Sequence, residues 1–169
     1  MSAPPVLRQR TWNDEQLKKA GFRYYKPVKR LVMARVLQEK RQIDVTLETL
    51  VAGAGDIVCY TPGDVVQPRI DDYDHWPVRA DLFKATYRPW DETPWKPSPT
   101  EVHLMRGGCR PYYKIAGVWA LRLARPIYIQ SLESPEPVLV PAGRWLVIGS
   151  KGEPYHISDE KFRARYVVA

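Results

Sequence analysis

Apolar and polar residues alternate over short spans along most of this chain, and the alternation outlines strands more often than helices. Ile43-Asp44-Val45-Thr46-Leu47 has the period of two expected of a half-buried strand. Leu31 to Leu37 is strand-like in content and is followed by the charged stretch Gln38 to Arg41, so 31–37 and 43–47 are expected to form a hairpin with that stretch as its tip. Phe22, Tyr24 and Tyr25 open an aromatic strand, and Asp56 to Tyr60 reads as another strand entered through the turn at Gly53 and Gly55. Two helix entries are signalled. Asn13 precedes Asp14-Glu15-Gln16, with Gln16 where a capping box places it and Gly21 as the stop. Ser98-Pro99 precedes Glu101, with Gly107-Gly108 as the stop.

The order of elements recurs. From Trp76 to Tyr87 the chain maps without a gap onto Tyr155 to Tyr166 at a constant offset of 79, which places Val78 on Ile157, Phe83 on Phe162, Ala85 on Ala164 and Tyr87 on Tyr166. Farther upstream Gly55 falls on Gly143 and Tyr25-Lys26 on Tyr113-Lys114, at an offset of 88. The difference is an insertion at 61–75, and the whole pattern points to one small module written twice. Gly149 and Gly152 are expected to provide positive φ at a bend around Ser150-Lys151, with Trp145, Val147, Tyr155 and Ile157 facing one way and His156 the other.

Pro141-Ala142-Gly143-Arg144-Trp145-Leu146-Val147, then Gly149-Ser150-Lys151-Gly152-Glu153-Pro154-Tyr155-His156-Ile157 and Phe162 to Tyr166, resembles a group of small, mostly unannotated bacterial and phage proteins of the PGDYG type. Their shared pattern is Pro-Gly-Asp-Tyr/Trp-Ile-Val, a Gly-x-x-Gly-Glu-x-Tyr-x-Val run, and a closing Phe-x-x-x-Tyr. The chain departs from it by inserting Ala142 and by placing Arg144 where the family has Asp, a residue that Asp56 restores in the earlier copy. The resemblance implies a compact β-rich module and no particular reaction.

Composition narrows the picture. The 16 Pro and 10 Gly among 169 residues favour many turns and short elements. The formal charge of +7 rests on cations scattered singly and in pairs, which fits a solvated surface as well as an anionic partner. Cys59 and Cys109 form neither a disulfide framework nor a metal motif, and read as reduced thiols of a cytoplasmic protein. Neither an N-terminal apolar leader nor a run of about 18 apolar residues is present, so secretion and membrane spanning are not expected.

The expected fold class is α+β and β-rich: two modules of antiparallel strands, each opened by a short helix, packed as a pseudo-twofold pair. Residues 1–11 would be a flexible lead-in, 12–88 the first module, 89–97 a Pro-rich linker and 98–169 the second module. The preferred reading is a non-catalytic binding or adaptor protein without a cofactor, taking a protein partner or a small anionic ligand in a groove between the repeats. Its candidate residues are Asp74, His75, Trp76, Arg144, Trp145, Glu153 and His156. The alternative is a nucleic-acid-binding protein using Lys18, Lys19, Arg23, Tyr24, Tyr25, Lys26, Lys29 and Arg30, where cations are interleaved with rings. A third option is a small enzyme with an Asp/His site in the loop Asp71-Asp72-Tyr73-Asp74-His75. That loop lacks the Gly and distal Glu of a calcium-binding loop, so no metal site is expected there. Gly149-Ser150-Lys151-Gly152 looks like a phosphate cradle but is read as a hairpin tip, because no helix starts directly after it.

Overall fold

The computed structural model describes residues 5–169. In chain order the elements are β1 (Val6–Leu7), α1 (Asp14–Lys19), β2 (Arg23–Pro27), β3 (Val32–Val36), β4 (Arg41–Val45), β5 (Glu48–Ala52), β6 (Ile57–Tyr60), a 3-10 turn (Ile70–Asp72), β7 (His75–Val78), α2 (Ala80–Thr86) and β8 (Tyr87–Pro89). They continue with α3 (Pro99–Arg106), β9 (Arg110–Lys114), β10 (Val118–Arg122), β11 (Ile127–Ile129), β12 (Val138–Val140), β13 (Trp145–Ile148), β14 (Pro154–Ile157), α4 (Asp159–Arg165) and β15 (Tyr166–Val168). The chain is thus β-rich, with short helices and mainly antiparallel pairing. Both expected capping boxes form, at Asn13 with Gln16 and at Ser98 with Glu101, each closing the orphan amides of a first turn.

The chain divides into two compact units. One contains the residues up to Val28, Thr46–Thr49 and Ala116–Ala169, and the other contains Lys29–Val45 and Leu50–Ile115. The first unit holds a five-stranded sheet in the order β14-β13-β10-β2-β15, and the second holds one in the order β7-β6-β3-β9-β8. The expected division into 12–88 and 98–169 therefore differs from these units. β2 sits among strands of the second half of the chain, and β9 sits among strands of the first half. The 89–97 stretch belongs wholly to the second unit, where Trp95 packs against the core.

Strand for strand, the two sheets pair alike. Val32 lies opposite Tyr112, as Val118 lies opposite Tyr25. Tyr87 lies opposite Lys114, as Tyr166 lies opposite Pro27. The turns match too: Leu37 N donates to Asp56 O at 2.8 Å and Gly55 N to Leu37 O at 2.9 Å, while Leu123 N donates to Arg144 O and Gly143 N to Leu123 O, both at 2.9 Å. Tyr25 thus corresponds to Tyr112 rather than to Tyr113, so the identical Tyr-Tyr-Lys triplets are one residue out of structural register. Since successive strand residues point to opposite faces, that single step decides which ring enters the core.

Each sheet carries a buried cluster on either face. In the first unit Tyr25, Val118, Val147, Ile157, Phe162 and Tyr166 pack on one side, and Leu17, Phe22, Leu146, Ile148, Ile129 and Val140 on the other. In the second unit Val32, Ala34, Ile57, Cys59, Phe83 and Tyr87 form one cluster, and Met33, Val58, Tyr60, Leu104 and Cys109 the other. The closing aromatics repeat their geometry. Phe162 meets Tyr25 edge-on at 5.0 Å and Phe83 meets Tyr112 edge-on at 4.9 Å. Pro77 and Pro154 sit in the outer strands β7 and β14, where the missing amide costs no ladder bond on the free side, while in the inner strands Pro27 is the last residue of β2 and Pro111 the second of β9.

Three further expectations are corrected. Residues 6–10 of the lead-in are tied down: β1 pairs in parallel with β11, Arg8 Nε donates to Gln130 Oε1 at 3.0 Å, and Arg10 N donates to Gly152 O at 3.3 Å. Residues 1–4 lie outside the described residues. β3 and β4 make no hairpin, because β3 takes β6 and β9 as neighbours while β4 pairs with β5. At the Gly149-Gly152 turn only Gly152 has positive φ, at 75°.

Candidate functional site

Three of the residues expected to share a groove, Asp74, His75 and Trp76, belong to the second unit, whereas Arg144, Trp145, Glu153 and His156 belong to the first. Within the first unit, β13 and β14 bring Arg144 and His156 together. Leu146 lies opposite His156, and Arg144 stands two residues before Leu146, hence on the same face. Arg144 Nε donates to His156 Nδ1 at 3.1 Å, and His156 Nε2 faces Glu48 Oε2. A guanidinium can only donate, so Nδ1 accepts and the imidazole proton sits on Nε2, directed at the carboxylate. The His156 and Glu48 side chains are each 5% exposed, and Glu48 Oε1 is buried without a hydrogen-bond partner. Burial pulls the Arg144 guanidinium below its ordinary value, with the Glu48 charge opposing that effect. Glu48 carried no local signal in the sequence, since its partner lies 108 residues away.

Trp145 and Glu153 have structural duties. Trp145 stacks on Phe162 at 4.0 Å, and its Nε1–H donates to Asp159 Oδ1 at 2.8 Å. That bond, with a further contribution from Arg163, holds the Asp159 carboxyl below the usual range although burial acts the other way. Glu153 folds back over the turn. Lys151 N donates to its Oε1 at 2.8 Å, and a Cβ built on Gly149 would lie 2.2 Å from its Oε2. The apparent phosphate cradle is therefore filled by the chain's own carboxylate, which explains Gly149 without a ligand.

The second unit holds a network that the sequence reading only touched. Arg35 Nε donates to Tyr60 Oη at 2.9 Å, the Tyr60 hydroxyl donates to Asp71 Oδ1 at 3.1 Å, and Arg41 Nη2 pairs with Asp71 Oδ2 at 2.5 Å. Burial pushes the Tyr60 phenol up to about 12, against the pull of Arg35. Desolvation raises the Asp71 carboxyl, but the Arg41 bond and charge outweigh it and leave the group below its ordinary value. His75 stacks on Tyr60 at 5.4 Å and places Nδ1 2.7 Å from Tyr73 O. Trp76 packs against the Phe83 cluster, and Asp74 O accepts from Thr61 N at 2.9 Å. His103 on α3 bonds the Tyr73 hydroxyl at 2.9 Å. Asp72 caps the 3-10 turn by accepting from Arg69 N at 3.1 Å. Among the described residues, no group of three or more His, Cys, Asp or Glu side chains is placed to hold a metal ion.

The set expected for nucleic acid divides. Tyr25 is a core residue at 8% exposure. Lys29 and Arg30 belong to the second unit, where hydrogen bonds from Lys29 to Asp91 and Glu92 raise its ammonium pKa and tie it to two carboxylates. Lys18, Lys19, Arg23, Tyr24 and Lys26 remain exposed on the first unit. Arg23 shares a strand face with Tyr25, and Lys26 shares the opposite face with Tyr24. The first unit carries thirteen Lys and Arg against eight Asp and Glu, a net +5, which leaves +2 for the second.

Comparison with known proteins finds no matching family model, no matching curated protein and no matching solved structure. No helix among the described residues is long and apolar enough to cross a membrane.

Proposed function

We propose that the chain is a non-catalytic binding or adaptor protein, built from a duplicated PGDYG-like module whose two copies have exchanged their aromatic strand. The matched strand orders, registers and turns support the duplication. One observation carries the non-catalytic reading: the acid–base groups gathered around His156 and around Tyr60 are bound to one another. Both His156 nitrogens are engaged, and the Tyr60 hydroxyl both accepts and donates. A general base needs a free nitrogen within hydrogen-bond reach of its substrate, and His156 has none. Arg144 in place of Asp56 marks a divergence of roles. Asp56 accepts from Gly53 N at 2.9 Å and Ala80 N at 3.3 Å, whereas Arg144 turns to an imidazole.

The partner is a protein, a small anionic ligand or a nucleic acid, and the +5 charge of the first unit favours an anionic one. Untargeted profiling of a cell extract incubated with the pure protein tests the reading. Metabolite levels should stay constant while a species co-elutes with the protein at low salt. Time-dependent depletion of a metabolite, abolished by His75→Ala, would overturn it in favour of an enzyme.

A further inference from the structure

We infer that the outer face of β2 in the first unit is a docking surface for single-stranded nucleic acid, an assignment that rests on the binding-protein reading and names its partner. Tyr24 is 42% exposed, yet its ring is fixed. Trp119, its neighbour on β10, meets it edge-on at 5.5 Å, and its hydroxyl lies over Gly117, where a Cβ would come within 2.2 Å of the oxygen. A ring held in place while much of its surface faces water has lost its conformational entropy before any partner arrives, which is what a stacking platform requires.

Exposed cations lie on the same strand face as the ring and at the end of the helix that leads into the strand. Lys26 is exposed on the same strand face, opposite Val167, which is itself 51% exposed. Lys18 and Lys19 are exposed at the C-terminal end of α1, which leads into β2 through Ala20–Phe22, and the acidic residues Asp14 and Glu15 occupy the other end of that helix. The pattern of a presented aromatic ring, an adjoining apolar side chain and nearby ammonium groups complements a polyanion with unpaired bases. A duplex hides its base faces and would meet only the charges.

The test is fluorescence anisotropy of the full chain with labelled oligo-dT and oligo-U of about 20 nucleotides, beside a duplex of the same length, over a series of salt concentrations. Single strands should bind more tightly than the duplex. Tyr24→Ala should weaken binding about 5- to 150-fold without changing the slope of log affinity against log salt, whereas Lys26→Ala should reduce that slope by about 0.7. Tyr24→Phe keeps the stacking face and should retain affinity, which separates loss of the platform from loss of fold. Equal affinity for the duplex, or a Tyr24→Ala protein that binds like the parent, overturns the assignment. No binding of any oligonucleotide at low salt also overturns it, and it leaves the binding-protein reading standing, because that reading fails only on metabolite turnover.

Discussion

Arg144 donates its Nε–H to Nδ1 of His156 at 3.1 Å and so fixes which imidazole nitrogen carries the proton. The consequence is a one-way chain of donation from guanidinium to imidazole to Oε2 of the Glu48 carboxylate, whose Oε1 has no partner. Removing the middle member strands a carboxylate whose side chain is 5% exposed. His156→Ala should therefore destabilise the protein by about 3–5 kcal/mol, the usual cost of an unpaired buried charge. Glu48→Gln keeps an acceptor for Nε2–H, and its cost should stay near 1 kcal/mol. Urea unfolding midpoints of the two variants check the ranking.

Gly152 and Gly143 both have positive φ, at 75° and 92°, but their surroundings differ. A Cβ on Gly143 meets nothing within 4 Å, whereas one on Gly152 would lie 1.8 Å from the Arg10 carbonyl oxygen. Gly143→Ala should cost only the left-handed backbone penalty of about 1–2 kcal/mol. Gly152→Ala should cost clearly more, and it should free the Arg10 amide from Gly152 O. Faster hydrogen exchange confined to residues 6–10 and the 149–153 turn is the expected signature.

The local parts of this fold were legible because local chemistry produces them. The Asn13 and Ser98 caps and the two-sided alternation along Trp145–Ile148 and Pro154–Ile157 each depend on residues within a few positions of one another. The placement of β2 in the first unit's sheet and of β9 in the second unit's sheet was not legible. Both strands carry Tyr-Tyr-Lys, and nothing local says which sheet receives which strand. The partners of Glu48, Tyr24 and Tyr60 were hidden for the same reason: His156, Trp119 and Arg35 reach them only through tertiary pairing.

Stability should fall at both ends of the pH scale. Burial pushes Tyr60 up to about 12 and Cys109 up to about 11. Both folded values lie above the unfolded ones, so the stability they carry is intact below the unfolded values and lost as pH rises through the folded ones. Asp71 has the opposite sign. Its lowered folded value gives stability that is present above the ordinary carboxylate value of about 3.9 and lost as pH falls through the folded one. Urea midpoints measured across pH should show both limbs. Tyr60→Phe should reduce the alkaline limb and leave the Cys109 part, and Asp71→Asn should reduce the acid limb and leave the Asp159 part.

Cutting the chain between Lys96 and Pro97 tests the strand exchange. The N-terminal fragment keeps β2 but loses β10 and β15, which flank it, and the C-terminal fragment keeps β9 but loses β3 and β8. Each sheet then lacks its fourth strand, and the outer strand beyond it has nothing to pair with. Each fragment alone should show little native strand signal by circular dichroism. Mixed in equal amounts they should recover the spectrum of the intact chain, with a melting temperature that rises with concentration because folding has become bimolecular. Two modules that kept their own strands would instead fold separately and ignore one another. A fragment with a cooperative, concentration-independent melt of its own would place β2 and β9 back in the halves that encode them.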